Sequence, residues 1–199
     1  MLSVGFLFEE DDDDFIDREQ YFEDRTNYHI NLVDKYLNRI IRLNDSRLDN
    51  NVLKHEKEIH DQSKFEKPEH EPYIKLTWNY YLKDHGKKIN WSSKELKEMQ
   101  EATFHHVKTN KHHPEAWDKN STIEAINNKD RDKPSGYIID ATGMPLSYIA
   151  TMVADWCAVS EEKETDPYKW CEMNINKRWI FTDKQIKLIY DLLNKIWKK

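Results

Sequence analysis

The chain is 199 residues long and carries 31 Lys and Arg against 37 Asp and Glu, a formal net charge of −6. Its 38% hydrophobic content is enough for one folded core, which excludes disorder as the main state. Only 4 Gly are present, about 2% where roughly 7% is usual, which argues against folds built on tight turns or glycine-lined phosphate loops. An all-α domain is expected.

The opening MLSVGFLF is apolar but short, lacks a basic flank and runs into the acidic stretch EEDDDD at 9–14. Neither a secretory signal nor a membrane span fits it, so the expected compartment is cytoplasmic with no membrane contact. Residues 1–25 read as an acidic N-terminal appendage, and 26–199 as a single helical domain. The periodic pattern begins with His29, Val33, Tyr36 and Ile40 at helical spacing, for which Asn27 is a candidate cap. Leu48, Val52, His55 and Ile59 then suggest a helix ending near His60 and Asp61, with His55 packing beside Val52 and Ile59. Pro68 and Pro72 interrupt or begin elements, and an aromatic helix around YIKLTWNYYLKDHG is stopped by Gly86.

A capping box from Ser92 to Glu95 opens the next helix, where Leu96, Met99, Thr103 and His106 share one face. His106 is thereby aimed inward, whereas His105 falls toward Glu98 and Glu101. Residues 117–142 are polar and read as a loop or small insertion, with a short extended piece at YIIDA. Pro145 can start a helix through PLSYIATMVADWCAVS that is apolar around nearly its whole circumference, the mark of a buried central helix. Asp155 lies inside it, where a carboxylate is costly unless paired or bound to metal. The last helix, capped by Thr182, packs through Ile186, Ile189, Leu193 and Ile196. Cys157 and Cys171 lack CxxC spacing and read as buried free thiols.

Nine His are present, and the run HHVKTNKHH at 105–113 concentrates four of them. His29, the His60–Asp61 pair and Asp155 lie at or beside apolar helical faces that a bundle can bring together. Imidazoles and carboxylates suit divalent ions such as Mn, Fe, Zn, Co, Ni or Mg. Asp61 can bridge two ions if His105 or His106, with His112 or His113, completes a second set. Pro114 biases His113 toward extended backbone, and periodicity does not choose between His112 and His113.

In this order His29, HDQSK at 60–64, the HH pairs and Asp155 resemble the HD-domain metal-dependent phosphohydrolase superfamily. The resemblance spans about residues 28–160. HDQSKF, ATFHHVKTNKHHPEAW and MVADWCAVS further resemble an uncharacterised family of small bacterial and phage HD-like proteins. The superfamily resemblance implies a compact HD-like helical bundle holding one or two divalent ions through His29, His60, Asp61 and Asp155, with one member of each HH pair as further ligands, His106 in the first and His112 or His113 in the second. It also implies a metal-dependent phosphohydrolase using metal-activated water on a nucleotide or other small phosphorylated metabolite.

Lys64, placed as in an HDxxK motif, is the candidate to bind a phosphate oxygen. Glu115 is a candidate general acid beside Asp61 and Lys64 in the catalytic set, and Trp117 and Trp156 are candidates to line a substrate pocket. His55, His70 and His85 read as structural or surface residues. The net charge and the absence of a Lys or Arg stripe argue against an extended nucleic-acid surface. A homo-oligomer is compatible with the sequence. The rival readings are an HD-fold di-iron oxygenase and a noncatalytic, metal-containing interaction module that uses the aromatic segment 166–181.

Overall fold

The computed structural model describes residues 17–87, 90–126 and 137–197. The acidic run at 9–14 and the NNKDRDKPSG stretch at 127–136 lie outside them. The chain is essentially all-α, as expected. Helix α1 spans Arg18–Arg42, α2 Asn50–Ile59, α3 His70–Asp84, α4 Ser93–Thr109 and the single turn α5 Ile123–Ile126. After strand β1 (Ile139–Asp140) come α6 (Leu146–Glu162), α7 (Pro167–Asn174), strand β2 (Trp179–Ile180) and α8 (Asp183–Ile196). The strands form one parallel pair, with Ile139 opposite Trp179.

The core forms where α1, α2 and α8 pack around α6. Ile149, Met152, Val153, Cys157 and Ala158 of α6 are all within 1% of complete burial, so the helix is central, as its apolar circumference predicts. Leu37 and Ile40 of α1, Leu53 of α2, and Leu188, Ile189, Leu192 and Leu193 of α8 complete the surround. Both cysteines are free and buried. No helix among the described residues is long and apolar enough to cross a membrane.

The structure departs from the sequence expectations at five points. Helix α1 is capped by Asp17, whose carboxylate accepts from the backbone N–H of Glu19, and not by Asn27. Residues 18–25 therefore belong to the bundle, with Phe22 fully buried, instead of to an appendage ending at 25. In α2 the buried face is Leu53 and Glu56, while His55 and Ile59 are exposed, so the inward stripe is rotated from the one expected. Likewise Leu96 of α4 is exposed although Ala102, His106 and Val107 are buried. Finally, Trp179 and Phe181 are buried and Trp170 packs on the core, so the aromatics of 166–181 serve packing and do not offer an exposed surface.

The capping boxes at Ser92–Glu95 and Thr182–Gln185 are both formed. Gln185 also donates its side-chain N–H groups to the carbonyls of Ala141, Thr142 and Met144, tying α8 to the segment entering α6. Gln185→Ala removes this donor from a buried position and is expected to cost about 1–3 kcal/mol in urea unfolding.

The polar stretch after 117 is anchored by Asp118. Its carboxylate accepts from the Tyr137 hydroxyl at 2.8 Å and from the backbone N–H groups of Asp140 and Asn120 at 3.0 and 2.8 Å. Burial opposes ionisation, but these donors outweigh it and hold the carboxyl below its ordinary value. A group depressed in the folded state contributes stability above its unfolded pKa and loses it as pH falls through the folded value. Asp118→Asn is therefore expected to cost about 1–2 kcal/mol at neutral pH, and the gap from wild type should narrow as unfolding is measured at pH values falling below the carboxyl's ordinary 3.8.

Candidate metal centre

Separate segments deliver the site residues to one place. His29 comes from the middle of α1 and Asp155 from α6, the most closely packed pair of helices. His60 ends α2, and the chain then turns sharply: Asp61 adopts φ 58°, ψ 8°, a left-handed conformation that Asp and Asn tolerate better than most residues. That turn places adjacent His60 and Asp61 side chains in the same cluster. His106 is on the last turn of α4, which stops at Asn110, whose side-chain amide donates to the His106 carbonyl and to Ser63 Oγ. His112 and His113 lie in the following turn, with His113 extended (ψ 133°) before Pro114, as expected.

Among the described residues three groups able to hold an ion result, His29–His60–Asp155, His60–Asp61–His112 and His106–His112–His113, each with donor atoms within 4.8 Å of one another. Shared members make them one continuous centre. His29 Nε2 lies 3.0 Å from Asp155 Oδ1 and 3.7 Å from Asp61 Oδ2, and His60 Nε2 lies 3.8 Å from Asp155. Asp61 reaches the other side, with Oδ1 3.3 Å from His106 Nε2 and 3.8 Å from His112 Nε2. Lys64, brought round by a short 3₁₀ turn at Gln62–Phe65, places Nζ 2.5 Å from Asp61 Oδ2 and over the Tyr73 ring.

Electrostatics separates these groups. Burial pushes the imidazoles of His60, His112 and His113 down, leaving them neutral with lone pairs available to an ion. At His29 burial acts the same way, but hydrogen bonds to Asp155 and Glu162 overcome it and raise the pKa to about 9. Burial would raise the carboxyl of Asp155, yet the His29 hydrogen bond brings it to about 2. Asp61 is likewise held ionised, against its burial, by the Lys64 ammonium and by His106.

These residues fit a metal. Both ring nitrogens of His60, and Nε2 of His113, are buried without a hydrogen-bond partner, an arrangement that costs free energy unless something else satisfies them. The neutral imidazoles of His60, His112 and His113 beside ionised Asp61 and Asp155 are a donor set that divalent ions take, and His29 and His106, whose pKa values the neighbouring carboxylates raise, would each release a proton on binding one. The centre opens into a cavity of about 220 Å³, whose walls include Arg25, Lys64, Tyr73, Leu76, Tyr80 and Val159.

All the expected metal ligands, namely His29, His60, Asp61, His106, His112, His113 and Asp155, converge here. Three other expected site residues do not join them. Glu115 is buried away from the cavity, accepting from Trp179 Nε1 at 2.9 Å and lying 3.5 Å from Arg178, so it is a packing anchor and not a general acid. Trp156 stacks on Trp179 in the core. Trp117 donates its indole N–H to the Lys111 carbonyl and packs against Tyr148, so neither tryptophan lines the cavity.

Two outer carboxylates escape the sequence reading. Glu162 Oε2 lies 3.6 Å from His29 Nδ1 and pairs with Arg25 at 3.1 Å; its place seven residues after Asp155, on the same face of α6, is the signal that marks it. Glu69 is completely buried and meets both His105 and His106, but it stands in a proline-bounded stretch with no apolar period. No curated protein and no solved structure matches the chain. A family model matches residues 18–195, which include every candidate ligand of the centre, and the chain belongs to that family, a family of unknown function (DUF5662).

Proposed function

We propose that the centre binds one or two divalent metal ions and hydrolyses a phosphate ester of a nucleotide or another small phosphorylated metabolite. The observation that carries this reading is the three overlapping ligand groups, joined through His60, Asp61 and His112, at the base of an open cavity. His29, His60, Asp61 and Asp155 would hold one ion, and Asp61, His106, His112 and His113 the other. Divalent ions supply Lewis acidity toward phosphoryl oxygens and lower the pKa of water.

The chain's own groups supply the rest. Lys64 is paired with Asp61 at the cavity wall, so its ammonium stands beside the ligands, where a nonbridging phosphate oxygen would gain a charged donor. Tyr73, Leu76, Tyr80 and Val159 provide an apolar wall for the body of a small substrate, and Lys163 adds positive charge to the lining, while the charge of Arg25 is offset by Glu162. The Lys64 role predicts that Lys64→Met reduces turnover by about 100-fold, on the scale of losing one charge-stabilising donor, while leaving metal content unchanged.

The direct test is to screen metal-loaded wild type and Asp61→Asn against phosphomonoesters and phosphodiesters. Turnover by wild type that is lost in the variant is expected. Absence of turnover with every ester would contradict the reading, and oxygen consumption by an iron-loaded protein without ester hydrolysis would assign the centre to oxygenase chemistry.

A further inference from the structure

The adjacent histidines at 105–106 divide their roles around a single carboxylate. Glu69 immediately precedes α3, yet its side chain makes no capping hydrogen bond to that helix. It reaches across to α4 instead: Oε2 lies 2.8 Å from His106 Nδ1 and Oε1 2.7 Å from His105 Nδ1, while Ser63 Oγ donates to Oε2 at 3.0 Å. An ionised carboxylate only accepts, so each imidazole must place a proton on Nδ1. The opposite nitrogen of His106 then faces Asp61 Oδ1 at 3.3 Å.

A tie between α3 and α4 alone would not require this orientation. His106 is 4% exposed and has its second nitrogen in the metal centre, whereas the His105 side chain is 39% exposed. We infer that Glu69 is a positioning residue for the His106 side of the centre, with His105 as its brace. Glu69 fixes the ring and tautomer of His106 so that Nε2 is presented to an ion beside Asp61. His105 saturates the other carboxylate oxygen and is not a ligand, which accounts for the doubled histidine. The effect on metal affinity rests on the metal-centre reading above, whereas the tautomer does not.

Cobalt(II) is titrated into the full chain as wild type, Glu69→Gln and His105→Ala, with calorimetry and visible absorption as readouts. Nitrogen NMR shifts of the His106 ring are recorded before metal is added. Glu69→Gln is expected to weaken one cobalt-binding step by about 10–100-fold, the usual consequence of removing an outer-sphere carboxylate, and to alter the cobalt spectrum. His105→Ala should weaken it less, and the metal-free wild type should carry a proton on His106 Nδ1. Unchanged affinity and spectrum in both variants, or a His106 Nδ1 without its proton, would overturn the inference. If Glu69→Gln does not fold, the partly exposed His105→Ala and the wild-type ring shift decide. Wild type that takes up no cobalt contradicts the metal centre itself, and the ring shift then decides the role of Glu69 alone.

Discussion

Asp61→Asn should reduce divalent-metal affinity by about 100-fold or more, on the order of 3 kcal/mol, and should do so for both sides of the centre. Among the described residues, Asp61 alone approaches His29 and His60 through one carboxylate oxygen and His106 and His112 through the other. Removing its charge therefore weakens the anionic element common to both ligand sets. Asn is the informative replacement because it keeps the shape and tolerates φ 58°, while Ala adds a backbone penalty of roughly 1–2 kcal/mol and would mix two effects. Without metal, the variant should also be less stable, because Lys64 and His106 lose the charge that compensates them. Thermal unfolding with and without zinc checks both halves of the expectation. Saturating metal at about 100 times Kd should add about 2.7 kcal/mol to wild type and far less to the variant.

Leu37→Ala should cost about 2–5 kcal/mol of a total stability that is roughly 5–15 kcal/mol for an ordinary domain. Leu37 is fully buried on the helix that packs most extensively against α6. The same helix carries His29 two turns earlier, and α6 carries Asp155. Loosening their packing removes apolar contacts and also relaxes the 3.0 Å approach of His29 to Asp155. Urea unfolding should show the reduced midpoint, and calorimetry a weaker metal affinity in the folded variant. A wild-type midpoint would mean that the cavity collapses without cost and that α1 is not held as described.

The sequence made α6 and the ligand set legible for the same reason. Polar residues such as His29, His106 and Asp155 stand out when they interrupt apolar helical faces, and the Ser92 and Thr182 caps are local signals that need no tertiary information. The start of α1 was not legible in that way: Asp17 and Phe22 are separated from the later stripe by charged residues, and it is packing that buries Phe22. Trp156 and Trp117 neighbour ligand candidates in sequence, but on a helix or turn adjacent residues point in different directions, so proximity in the chain did not carry them into the cavity. Glu115 failed for a related reason, since its partners Trp179 and Arg178 are distant in sequence. Glu69 shows the converse, a residue without periodic context that reaches the site through contacts across the bundle.

The central claim is that the His and Asp cluster is a metal centre. Its most direct test is anomalous diffraction at the zinc edge from crystals grown with zinc and without chelator. An anomalous peak is expected about 2.0–2.2 Å from nitrogen and oxygen ligands drawn from His29, His60, Asp61 and Asp155, with a second beside Asp61 and His106 if two ions bind. A zinc-containing crystal with no peak among those side chains would contradict it.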